Sequence, residues 1–118
     1  MLLINKSTGL VVAQRVEMAI SFTRRLKGLL GRSFFPPGSA LMLQPCRQVH
    51  TFFMRFPIDV IFLDQRGTVL TVLVMSPGRV SPYVSKAQMV VELPAGTAAA
   101  TGITEDHELK LMEQEGRE

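Results

Sequence analysis

The 118-residue sequence contains no tryptophan, one tyrosine (Tyr83) and one cysteine (Cys46). A lone cysteine excludes an intrachain disulfide and suits a reducing compartment. With so few large polar aromatics, no strong interface hot spot stands out. Also missing is any run of about eighteen uncharged apolar residues, so a transmembrane helix is not expected. The opening Met1-Leu-Leu-Ile-Asn-Lys6 lacks the basic, apolar and small-residue regions of a secretory signal. The expected location is therefore cytoplasmic, with no membrane partner. No Gly-x-Gly-x-x-Gly, Walker loop, Cys-x-x-Cys or Gly-x-Ser-x-Gly occurs, which counts against dinucleotide, nucleotide and serine-hydrolase chemistry. Repeats and linkers are absent too. The reading is one globular domain over residues 1–112 and a frayed acidic tail at 113–118.

Charge is unevenly spread. Residues 1–104 carry eleven Lys/Arg against four acids (Glu17, Asp59, Asp64, Glu92), whereas residues 105–118 carry six acids against Lys110 and Arg117. A basic body can attract phosphates. Only Arg24, Arg25, Lys27 and Arg32 cluster, however, and no stacking aromatics interleave with them. The reading is a solvated surface, not a nucleic-acid interface.

What is present is apolar bulk in short β-branched runs. Leu2–Ile4 and Leu10–Val16 read as strands joined by the turn-rich segment 5–9. Ser21 is placed to cap a short helix with Phe22, Leu26, Leu29 and Leu30 on one face, ended by Gly31. Ala40–Leu43 is a further strand. Asp59–Asp64 and Thr68–Met75 form a hairpin across Asp64-Gln-Arg-Gly67, and both arms are apolar enough to expect burial on both faces. Gln88–Leu93 and His107–Met112 complete the strands, and a helical turn lies between Pro94 and Gly102. Together these predict a β-rich α+β domain of mostly antiparallel strands, forming a closed or partly closed barrel with one or two short helices.

The densest chemistry lies between Cys46 and Asp64. That stretch holds the only cysteine, His50, four of the seven phenylalanines (Phe52, Phe53, Phe56, Phe62) and Asp59. Four pieces in order resemble domain-of-unknown-function family 192, a group of small bacterial and archaeal proteins. They are Arg25-Leu-Lys-Gly28-Leu-Leu-Gly-Arg32, His50-Thr-Phe-Phe-Met54-Arg-Phe-Pro57-Ile-Asp59 through Asp64 with Gly67, Val91-Glu92-Leu-Pro94-Ala-Gly96, and Gly102-Ile103 with Asp106. Many members carry a signal or lipoprotein leader that this sequence lacks. The resemblance implies a fold and brings no activity with it.

Cys46, His50 and Met54 are spaced four and four, like the ligand loop of blue-copper proteins. Such a centre needs a second histidine upstream, and none exists. Core-filling roles for Cys46 and Met54, and a structural hydrogen bond for His50, outweigh a soft-metal site. Cys46 as a nucleophile lacks an oxyanion turn. Asp59 and Glu92, each among strand formers, must find a partner or the edge of a pocket. Glu92 is expected to buttress the fold with a cation such as Arg32, while Asp59 stands between buttress and ligand contact. The preferred reading is a binding domain whose pocket is built on residues 46–59. His50, Arg55 and Asp59 supply its polar contacts and Phe52, Phe53 and Phe56 its apolar walls, with Met54 also among the ligand-binding residues, for a small molecule, a peptide end or a metal. An enzyme using Cys46 or a His50/Asp59 pair is the alternative, and a protein-interaction module with exposed phenylalanines the third. Cofactor and ligand identity stay open. The expected state is a monomer or a weak homo-oligomer.

Overall fold

The computed structural model describes residues 1–21 and 28–114. Leu2–Asn5 (β1) pairs antiparallel with Val11–Ala13 (β2) and with the last strand, Leu109–Met112 (β8). The turn between β1 and β2 is held by Asn5, whose Oδ1 accepts from the amides of Ser7 (2.9 Å) and Thr8 (3.3 Å). The larger sheet contains Arg15–Ala19 (β3), Ser39–Leu43 (β4), Ile58–Leu63 (β5), Val69–Met75 (β6) and Met89–Pro94 (β7). Its order is β3-β4-β7-β5-β6, with β3 parallel to β4 and the other pairs antiparallel. Thr97–Thr101 forms a single-turn helix, α1.

The expected strand Leu10–Val16 is two strands. At Gln14 the chain leaves the small sheet for the large one, and the amides of Gln14 (2.8 Å) and Arg15 (3.0 Å) both donate to the Gly38 carbonyl. A second corner joins the sheets where Thr68 bridges Glu108, flanked by the amides of Val69 to His107 O (2.8 Å) and Leu109 to Gly67 O (2.9 Å). Of the expected closed or partly closed barrel, closure is corrected: the β-rich domain consists of two sheets tied at two corners, with no closed barrel among the described residues. With three and four residues, β2 and β8 are too short to pair along the seven residues of β6.

Two apolar cores flank the large sheet. One lies between the sheets and takes Leu3, Ile61, Leu63 and Leu93, with Ala98 of α1. The other, on the opposite face, takes Ile58, Val60 and Phe62 with Leu29, Phe35, Val49 and Met54 from the loops. Alternate residues of β5 thus feed both cores, and all six are buried. Each large apolar side chain so buried contributes about 1.5–3 kcal/mol. Its hairpin mate behaves differently. Among the described residues no strand flanks β6 on its outer side, and Val74 is 71% exposed. The anticipated helix after Ser21 and the end of the acidic tail fall largely on residues 22–27 and 115–118, outside the described residues. No helix among the described residues is long and apolar enough to cross a membrane.

Candidate functional site

Residues 47–51 run beside residues 79–84 as an irregular ribbon over the second core. The amide of Val84 donates to Arg47 O (2.9 Å), that of Ser81 to Val49 O (2.9 Å) and that of Thr51 to Arg79 O (2.8 Å). The fully buried Thr51 secures the ribbon, its hydroxyl donating to Ser76 O (2.6 Å) and accepting from the Arg79 amide (2.9 Å). At the tip the chain reverses through Phe52 and Phe53, closed by the Met54 amide on Thr51 O (3.2 Å). Phe53 has φ 64 and is 87% exposed. A bulky residue at positive φ is strained, and here no burial of the ring offsets the strain. His50 is exposed and stacks on Phe52, with ring centroids 5.1 Å apart. Arg55 is exposed as well. Met54 is buried in the second core, Cys46 packs at the edge of that core with its thiol donating to Gln48 O (3.3 Å), and His50 lies at the surface, so the three soft ligands do not converge. Among the described residues, no three His, Cys, Asp or Glu side chains are placed to hold a metal ion.

Asp59 does not join this group. It pairs in register with Leu93 and Val74 and points toward the core between the sheets, away from Met54. There its oxygens accept from the amides of Gly96 (3.2 Å) and Ala98 (2.8 Å). Gly96, the residue at the start of α1, has no side chain to cap the helix, and Asp59 does so from across the sheet. The expected convergence of His50, Arg55 and Asp59 is absent, because the face of β5 that carries Asp59 is not the face that the 46–56 segment covers.

Glu92 occupies that covered face. Register places Glu17, Leu41, Glu92, Val60 and Leu73 side by side, one from each strand of the large sheet. Arg32 lies over this row and grips Glu17 with two nitrogens, at 2.8 and 3.2 Å. That hydrogen-bonded pair holds the Arg32 pKa above its ordinary value. Arg32 does not reach Glu92 within salt-bridge distance, so the expected buttress is a longer-range attraction only. Glu92 is 4% exposed and makes no hydrogen bond among the described residues, yet neither of its oxygens is sealed from solvent. Burial pushes its pKa up to about 7, opposed by the charge of Arg32. Farther along the row, Leu41 and Glu17 join Ala19 and Arg32 in walling a cavity of about 380 Å³, and Glu92 is one strand away from that wall.

The model of the DUF192 family, an Uncharacterized ACR, matches residues 3–111. The chain belongs to this family. A UPF0127 protein of Pyrococcus abyssi is 36% identical over 100 residues, covering 80% of this chain and 83% of that protein. Among solved structures, a protein of unknown function from Novosphingobium aromaticivorans superposes with a TM-score of 0.79 at 20% identity, covering 93% of this chain and 83% of that one. A Sinorhizobium meliloti protein, provisionally described as a transcription regulator, superposes with a TM-score of 0.77 at 24% identity, covering 92% and 89%. Identities this low establish a shared fold alone.

Several polar residues that shape this DUF192 domain escaped the sequence reading. Glu17 carries the Arg32 pair, Thr51 and Ser81 pin the ribbon, and Asn5 reaches His107 Nδ1 at 3.0 Å. For Glu17 a signal existed: it is the single acid within Val11–Ala19, and it alternates with Val16 and Met18. Thr51 and Ser81 gave none, since buried hydroxyls in loops look like any turn residue.

Proposed function

We propose that this domain binds a small ligand over the outer face of its large sheet, with Glu92 as the polar anchor and the Glu17–Arg32 pair at the rim. The observation that carries the reading is Glu92: a carboxyl 4% exposed, with no hydrogen bond among the described residues, whose register neighbour Leu41 lines a cavity together with Glu17 and Arg32. The Glu92 oxygens still meet solvent, and a carboxyl whose pKa is raised by burial close to a hollow marks a candidate binding site. Arg32 is already engaged by Glu17. The missing complement is therefore a hydrogen-bond donor, best supplied by an amine, with apolar atoms packing on Leu41 and Ala19.

The test is a thermal-shift panel of small amines, alcohols and carboxylic acids at pH 7, run on the parent protein and on Glu92→Gln. Amines should raise the parent's melting temperature and leave Glu92→Gln unmoved. Equal responses in both proteins, or none to the whole panel, would overturn the reading.

A second reading keeps the 46–59 segment as a contact surface. It rests on Phe53, whose strained backbone holds an aromatic ring almost fully in solvent, beside His50 and Arg55. On this reading the tip meets a protein partner, with Met54 fixing the turn from beneath.

A further inference from the structure

We infer that the free edge of β6, with the hollow beside it, is a docking groove for an extended peptide that carries an apolar side chain and an acidic residue. This goes beyond the ligand reading above and uses none of its residues except the sheet itself. Among the described residues, strand β6 is the last strand of the large sheet and pairs only with β5. At one end Val69 is tied outward to the 106–107 turn, its amide donating to His107 O (2.8 Å) and its carbonyl accepting from Asp106 N (2.9 Å). From residue 70 to 75 no backbone hydrogen bond leaves the outer side of the strand among the described residues.

Native proteins blunt such edges with charge, proline or cover. This one carries none: residues 68–76 contain no charged side chain and no proline. The strand is partly uncovered along its length, and Val74 is 71% exposed. The nearby loop through Pro82–Lys86 closes no backbone bond onto it. Instead it stands off and leaves a hollow of about 450 Å³ between Leu70, Thr71 and Leu73 on the strand and Pro82, Val84 and Lys86 on the loop.

An unpaired main-chain edge supplies hydrogen bonds to any extended segment, and a side-chain pocket beside it supplies selectivity. The hollow here is apolar, so the side chain it takes is apolar. Lys86 forms no ion pair among the described residues and is the one charged residue on its wall. Charge complementarity therefore favours an acidic residue next to that apolar side chain. A second copy of this chain fits less well. An identical β6 laid along the edge would bring apolar side chains and no acid to meet Lys86.

The experiment is selection of a displayed random-octapeptide library on the full chain, followed by backbone-amide NMR with the enriched peptides. Enriched sequences should alternate apolar and polar residues, include an acid, and shift amides of residues 70–75 and 82–86. A twin peptide methylated on alternate amide nitrogens should bind at least tenfold more weakly. Thr71→Lys should also weaken binding at least tenfold while leaving the thermal-shift response at Glu92 intact, which separates failure here from failure of the ligand site. Three results overturn the inference: no enrichment, shifts confined to other surfaces, or peptide-free concentration dependence of the same amides, which would assign the edge to a second copy.

Discussion

Replacing Glu92 with glutamine should make the protein more stable, and by an amount that depends on pH. In the folded chain burial raises this carboxyl from an ordinary 4.5 to about 7. An acid whose folded pKa is raised favours folding while protonated. Below pH 4.5 both folded and unfolded chains hold the proton, and the group contributes nothing adverse. Between pH 4.5 and 7 the unfolded chain releases its proton first, so stability falls as pH rises, by up to about 1.4 kcal/mol per unit. Above pH 7 the full difference has accrued, about 3 kcal/mol for a shift of this size. That is a sizeable share of the 5–15 kcal/mol by which domains are typically stable. Glutamine copies the shape of the neutral acid and removes the titration. Urea denaturation of both proteins from pH 4.5 to 8.5 should give curves that coincide at the acid end and diverge to about 3 kcal/mol by pH 8, with Glu92→Gln the more stable. Parallel curves would refute the argument, since they would mean that Glu92 has an ordinary pKa and is solvated.

Asp59→Ala should have the opposite sign. It leaves the amides of Gly96 and Ala98 without their acceptor in a buried site, a loss of about 2–4 kcal/mol readable in the denaturation midpoint. Gly67→Ala should lower the melting temperature sharply, by an amount equivalent to about 2 kcal/mol or more, because Gly67 has φ +85 and a Cβ there would collide with the Leu109 carbonyl oxygen at the corner joining the sheets. Phe53→Gly should leave stability unchanged or raise it by up to about 1 kcal/mol in thermal melts, since it relieves a positive φ without removing a buried ring. A loss larger than that would mean the ring packs on its surroundings.

Much of the architecture was legible. The hairpin of β5 and β6, the turn at Asp64–Gly67, the strand before Pro94 and the helical turn before Gly102 all follow from alternation, β-branching and punctuation by Pro and Gly. What was not legible is sidedness between elements. A strand's two faces are evident from its own residues, but which loop or sheet covers each face is decided by pairings far along the chain. The break at Gln14 illustrates this: Leu10–Val16 reads as one apolar run, and only Gly38, more than twenty residues later, determines where it changes sheets. The edge position of β6 was hidden for the same reason, since its composition is that of a strand flanked on both sides.

Asp59 and Glu92 make the point most sharply, because in the sequence they are near equivalents: each is a single acid in a β-branched run. Register sets them diagonally on adjacent strands, Asp59 opposite Leu93 and Glu92 opposite Val60, so they face opposite cores. A shift of one residue in that pairing would exchange them. On the face Asp59 occupies, the chain leaving β7 turns at once into α1 and brings free amides to it. On the face of Glu92 the nearest cation, Arg32, is held by Glu17 at the far end of the row. The same functional group, a carboxyl, is thus satisfied on one side of the sheet and left with bonding capacity on the other. That asymmetry moves the candidate site away from the phenylalanine-rich turn and onto the row of side chains beneath Arg32.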